Sequence, residues 1–133
     1  MRFLAFVLLF VLLSACTSRQ EKAEARFLEG VEYHFLGMNK EAMDAFNAVI
    51  ALQADNPEAY FYRANVWFNL GSIEKAMLDL DKAIELNPAY ADAYFNRGNM
   101  WFYLGDKDKA CDDWREAEAL GKPNVGDKTR HCF

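Results

Sequence analysis

Few side chains in this 133-residue sequence could carry out chemistry, and their spacing argues against catalysis. There are three cysteines (Cys16, Cys111, Cys132) and two histidines (His34, His131), and beyond residue 16 the serines are Ser18 and Ser72. Cys111, His131 and Cys132 are metal-binding residue types. Adjacent ligands at 131 and 132 fit poorly around one tetrahedral ion, however, and the sequence offers no fourth ligand. Asp106-x-Asp108 begins like a calcium loop, yet Cys111 stands where that turn needs Gly, and Ala117 where it needs a bidentate Glu. An acidic helix start that complements the helix dipole explains these carboxylates more simply. With no nucleophile–base pair and no Gly-rich phosphate loop, the expectation is a protein that is not an enzyme and uses no metal and no cofactor.

Composition narrows the partners. Hydrophobic residues make up 53% of the chain and aromatics 15%, enough for one packed domain. The net charge is −5, with no long block of either sign. Nucleic-acid binding depends on clustered Lys and Arg neutralising phosphates, so no nucleic-acid partner is expected.

The N-terminus reads as an address. Arg2 is basic, residues 3–13 are an unbroken apolar run, and Ser14-Ala15 precede Cys16. Eleven apolar residues at about 1.5 Å each cannot cross a hydrocarbon core of about 30 Å, so a secretory leader is favoured over a spanning helix. Leu13-Ser14-Ala15-Cys16 resembles the bacterial lipobox. That resemblance implies a signal peptide over 1–15, with Cys16 as the lipidated first residue of the mature chain. It also implies a bacterial envelope location. Thr17 is not the Asp that retains such lipoproteins at the inner membrane, which favours the periplasmic face of the outer membrane. Several acyl chains anchor stably where one anchors marginally, so the domain would sit on the membrane surface. Residues 16–22 are expected to serve as a tether.

With Cys16 lipidated, Cys111 and Cys132 are left in an oxidising compartment. An even remainder there suggests a disulfide, and two free thiols are the alternative.

The rest of the chain is repetitive. Gly37, Gly71 and Gly105 recur at intervals of 34, as do Ala42, Ala76 and Ala110, then Tyr33, Trp67 and Trp101. Repeats fall at 23–56, 57–90 and 91–124, each divided at a Leu-Gly: Leu36-Gly37, Leu70-Gly71, Leu104-Gly105. Within a repeat the apolar pattern is helical: Tyr60, Ala64 and Trp67 share one face, and Ala76, Leu80 and Ala83 another. Asn39, Ser72 and Asp106 are candidate N-caps for the second helices, and Pro57 suits a first helical position. A period near 34 with Tyr60, Ala64, Trp67, Ala76, Leu80, Ala83 and Pro88, largely repeated as Tyr94, Gly98, Trp101, Ala110, Trp114 and Ala117, resembles the tetratricopeptide repeat. The first copy departs more, with Arg26 and Val49 at pattern positions. The implied fold is all-α, a solenoid of three helix-turn-helix repeats with a short capping helix within 125–133. Val125, Thr129 and Cys132 share a face of that cap. Ala110-Cys111-Asp112-Asp113-Trp114 with a cysteine near the end resembles the last repeat of many bacterial envelope proteins of this kind.

The resemblance also places a groove. Its lining would include Phe61, Tyr62, Asn65, Phe68 and Asn69, then Phe95, Asn96, Asn99, Phe102 and Tyr103. Glu24, Phe27, Leu28, Val31 and Phe35 precede them in the first repeat. Asparagine amides can hold a peptide's N–H and C=O together while rings supply apolar contact, although interfaces between repeats also consume aromatics. The chaperone-tail clamp of the family needs cations where this chain has Phe27, Val31, Asp92 and Asn96, so that clamp is absent. The implied function is a membrane-anchored scaffold binding a peptide segment or protein partner in the envelope. The alternatives are a self-associating structural component or an accessory subunit that lacks a peptide groove.

Overall fold

The computed structural model describes residues 2–130 and 132, with side chains from residue 18 onward. Cys16 and His131 lie outside the described side chains. Every regular element among the described residues is a helix: α1 (Arg2–Phe35), α2 (Asn39–Leu52), α3 (Pro57–Asn69), α4 (Ile73–Leu86), α5 (Ala91–Tyr103), α6 (Lys107–Ala119) and α7 (Gly126–Thr129). None of the described helices is long and apolar enough to cross a membrane. The chain divides into two compact units, Met1–Asp55 and Asn56–Phe133.

The first unit is the hairpin of α1 on α2. The segment 16–22 is helical and continuous with α1, as expected of polar sequence without Pro or Gly. Ala23, Ala42, Phe46 and Val49 are fully buried there, with Phe27 edge-on to Phe46 at 6.1 Å. Asn39 corrects the expected cap. Met38 occupies the N-cap of α2 without a side-chain hydrogen bond, and Asn39 is the first helical residue, its Oδ1 buried and without a partner.

The second unit stacks α3 on α4, α4 on α5 and α5 on α6, with α7 against α6. Asn56 caps α3, its Oδ1 accepting from the Ala59 N–H at 2.9 Å, and Pro57 takes the first position, where no N–H is needed. Each hairpin turns on a glycine. Gly71 has φ 75° and Gly105 φ 88°, which lets the Ser72 N–H reach Trp67 O and the Asp106 N–H reach Trp101 O, both at 2.9 Å. Asp106 Oδ1 caps α6 by accepting from the Lys109 N–H, and its carboxyl is held below the usual carboxylate range by the Lys109 side chain, then by that N–H. Ser72 holds the N-cap position of α4 but makes no side-chain cap bond.

Ala64, Ala76, Leu80 and Ala83 are fully buried at the α3–α4–α5 core. The third repeat solves the same packing problem with different sizes. A Cβ on Gly98 would lie 2.7 Å from Trp114 Cδ1, so the bulky indole fits only because Gly98 has replaced the alanine of the second repeat. Gly30 and Phe46 repeat the trade in the first unit, also at 2.7 Å.

Two buried ion pairs recur with the period. Arg63 donates twice to Asp79, both at 2.7 Å, and Arg97 twice to Asp113, at 2.8 and 2.7 Å. Arg97 also reaches Asp81 of the preceding repeat at 2.8 Å, so one guanidinium ties α5 to both α6 and α4. The side-chain hydrogen bond from Arg97 to Asp113 is the main force that raises its pKa further.

Candidate functional site

Helices α3 and α5 lie side by side in the second unit and present matching asparagines. Asn96 Nδ2 donates to Asn65 Oδ1 at 2.8 Å, joining consecutive repeats. Beside this bond lies a hollow of about 190 Å³ lined by Asn65, Phe68, Asn96, Asn99 and Met100. Met100 is buried and was not singled out from the sequence. It belongs to the core of α3, α4 and α5 and forms the floor of the hollow. Phe68 is 45% exposed and supplies apolar surface.

Asn99 is bound to the interior: its Oδ1 accepts the Trp114 indole N–H at 3.2 Å. After these bonds the hollow retains the Asn65 amide N–H groups, the Asn96 carbonyl oxygen and the Asn99 amide N–H groups. Both donors and an acceptor are thus available to an extended backbone.

The other expected groove residues divide by packing. Phe61 lies against Tyr90 at 4.9 Å and Tyr62 at 5.4 Å, and joins the core of α3, α4 and α5. Burial raises the Tyr90 hydroxyl pKa well above its ordinary value. Phe95 belongs to the cluster of Ala110, Trp114 and Val125. These two rings are consumed between helices. Phe102 and Tyr103 are 53% and 70% exposed at the end of α5, Phe102 lying 5.5 Å from Trp114, and Asn69 is exposed at the end of α3.

The C-terminal segment closes the third repeat. Cys111 and Cys132 form a disulfide with Cα atoms 5.6 Å apart. Val125 is buried against Ala110 and Trp114, and Thr129 Oγ1 donates to Glu118 at 2.9 Å. Although α7 is a single turn, it and the loop before it place two lysines over Phe95. Lys122 Nζ stands 5.0 Å and Lys128 Nζ 5.7 Å from the Phe95 centroid. Lys128 also lies 4.7 Å over Trp114, and Lys122 pairs with Asp92. The sequence reading missed both lysines: Lys128 lies past the last repeat, and Lys122 stands where the second repeat has Pro88, so the period gives it no repeated charge. Among the described residues no cluster of His, Cys, Asp and Glu could hold a metal.

Tetratricopeptide repeat models match residues 23–56 and 91–124, and a further TPR repeat model matches 64–105. No protein of curated function matches the chain in sequence. The first TPR of Spaghetti (RPAP3) bound to the HSP90 peptide SRMEEVD is a similar solved structure, with 27% identity, TM-score 0.77, and coverage of 83% of this chain and 89% of that one. The TPR2B domain of yeast Sti1 in complex with pHsp70 is 26% identical with TM-score 0.73, covering 84% of this chain and 90% of that chain. The Arabidopsis OM64 TPR domain shares the fold at 22% identity and TM-score 0.80, covering 86% and 96%. From the 34-residue period, the stacked hairpins and these matches, the chain belongs to the tetratricopeptide repeat family and has its all-α solenoid fold.

Proposed function

We propose that this protein is a lipid-anchored, non-enzymatic scaffold of the bacterial cell envelope whose second and third repeats hold an extended segment of a partner protein. The observation that carries the binding half is the hollow between α3 and α5, walled by amides and by Phe68. Amide donors and an acceptor at repeat spacing suit a backbone with its own N–H and C=O to satisfy, and Phe68 and Met100 offer apolar contact to one side chain. Relatives that bind HSP90 or Hsp70 segments support a protein ligand. The positions corresponding to the family's clamp carry Phe27, Val31, Asp92 and Asn96, so the ligand is not gripped in that manner. The anchoring half rests on the lipobox-like Leu13-Ser14-Ala15-Cys16. On this reading residues 1–15 are removed, Cys16 carries the lipid, 16–22 is a helical tether, and the repeats face the periplasm from the outer membrane.

A photo-crosslinking amino acid placed at Phe68 in living cells tests the binding half. Adducts at Phe68 but not at Leu78, which is 68% exposed on α4, are expected. Equal labelling at both positions, or adducts only with a second copy of the chain, would refute the groove in favour of non-specific contact or self-association. For the anchor, [³H]palmitate incorporation that is lost in Cys16→Ala, together with processing blocked by globomycin, is expected. Unlabelled protein would refute it.

A further inference from the structure

Lys128 is the lysine of the second unit that lies over two rings without a carboxylate partner among the described residues, where Lys75 lies over Trp67 alone. Lys128 forms no ion pair among the described residues, while its neighbour Lys122 is neutralised by Asp92. Its ammonium is spread over two rings, 4.7 Å from the Trp114 centroid and 5.7 Å from that of Phe95. Aromatic faces hold a cation in place and displace water, but supply no counter-charge. The segment bearing it is basic within an acidic chain: residues 122–132 carry Lys122, Lys128 and Arg130 against Asp127 alone, whereas the whole chain stands at −5.

Five contacts fix this segment. Gly121, at φ 87°, turns the chain so that the Lys122 N–H bonds Ala117 O at 3.0 Å. Val125 is buried, and Thr129 is tied to Glu118 at 2.9 Å. The Cys111–Cys132 disulfide then holds the far end, and Arg115 donates to Cys132 O at 2.9 Å. These contacts hold the segment that carries Lys128 against α6.

That position adjoins the hollow through a shared neighbour. Asn99 lines the hollow and accepts the Trp114 indole N–H at 3.2 Å, and Lys128 stands over the same indole. The ammonium therefore lies within about 10 Å of Asn99 Oδ1, about three residues of extended chain at 3.3 Å each. That separation is within the reach of a short extended peptide seated in the hollow.

We propose that the segment bound in the groove is an acidic peptide, and that Lys128, seated on Phe95 and Trp114 and braced by the Cys111–Cys132 disulfide, receives its carboxylate. This rests on the peptide-groove reading and adds the ligand's chemistry. Lys122 contributes by cancelling Asp92, which would otherwise repel such a ligand. Lys128 itself lies beyond the last repeat.

The test uses the full-length chain in detergent micelles, immobilised and exposed to a pool of synthetic random dodecapeptides whose retained fraction is sequenced by mass spectrometry. Wild type is expected to enrich Asp and Glu about threefold over the input pool, an enrichment that fades at high salt. Lys128→Gln should still retain peptides but at input acidity, Lys128→Arg should keep the enrichment, and Lys40→Gln, an exposed lysine of the first unit, should leave it intact. Cys111→Ser with Cys132→Ser should lower it. Retained peptides at input acidity on wild type, or an enrichment indifferent to Lys128→Gln, would overturn the acidic assignment while leaving the groove in place. Absence of any retention on wild type would overturn both.

Discussion

Asn99 Oδ1 accepts the indole N–H of buried Trp114 at 3.2 Å, so one residue lining the hollow also completes the core of the third repeat. Its partner in the preceding repeat, Asn65, has no such duty: it bonds Asn96 across the repeats. Asn99→Ala should strand a buried N–H and cost about 1–3 kcal/mol in urea unfolding, while Asn65→Ala should cost less than about 1 kcal/mol. In a Trp114→Phe background the cost of Asn99→Ala should shrink, because the stranded donor is gone. Equal costs for the two asparagines would contradict this division. It also makes Asn65, not Asn99, the cleaner probe of binding.

Gly98 and Trp114 form a size-matched pair. Gly98→Ala drives a methyl into a rigid ring and to 3.1 Å from Ala110 O, and should destabilise by about 1–3 kcal/mol. Trp114→Leu added to Gly98→Ala recreates the Ala64–Leu80 pair of the second repeat. The double variant should unfold at a higher temperature than Gly98→Ala alone. Simple additivity would sink the pairing argument.

The Arg97–Asp113 pair is nearly buried, with side-chain exposures of 20% and 9%. Asp113→Ala leaves the guanidinium with Asp81 alone and should cost about 3 kcal/mol, whereas Arg97→Met with Asp113→Leu should be close to neutral. Chemical denaturation of the three proteins checks both. The first unit already shows that the pair is dispensable, since Glu29 and Ala45 stand at the equivalent positions.

Much of this architecture is legible in sequence. The 34-residue spacing of Gly37, Gly71 and Gly105 gives the hairpins because their turns need a positive φ that few other residues adopt cheaply, and Gly71 and Gly105 show it at 75° and 88°. The Arg63–Asp79 and Arg97–Asp113 pairs were also within reach. Arg and Asp repeat at 34 and stand 16 apart in the second and third copies, a signal passed over because charges on helices usually face solvent. Asn39 misled because cap preference is a local statistic, and the turn geometry placed Met38 at the cap. Met100 and Lys128 were beyond reach. Which residue floors a hollow depends on helix rotation, and the cap segment has no repeat to be aligned with.

The Cys111–Cys132 disulfide closes a loop with a sequence separation of 21, for which chain entropy gives about 3 kcal/mol. Denatured, unreduced protein with Cys16 lipidated should show no reactive thiol. Reduction should release residues 122–132 to protease before the repeats unfold. Two thiols titrating without reductant would contradict the bridge.

Burial lowers the pKa of His34 from 6.5. Above that pH both folded and unfolded chains hold it neutral, and its contribution is complete. As pH falls below 6.5 and through the folded value, the unfolded chain takes up the proton first and stability is lost. His34→Gln should therefore flatten the melting-temperature profile between about pH 5 and 7 relative to wild type. An unchanged slope would exclude His34 as the source.

The central claim is that the hollow between α3 and α5 grips a peptide backbone. Isothermal titration of one peptide recovered from the random pool, against wild type and Asn65→Ala, tests it most directly. The account predicts a Kd about tenfold higher for the variant, the loss of one well-formed hydrogen-bond site at about 1.4 kcal/mol, with folding intact. Identical affinity for the two proteins would contradict it.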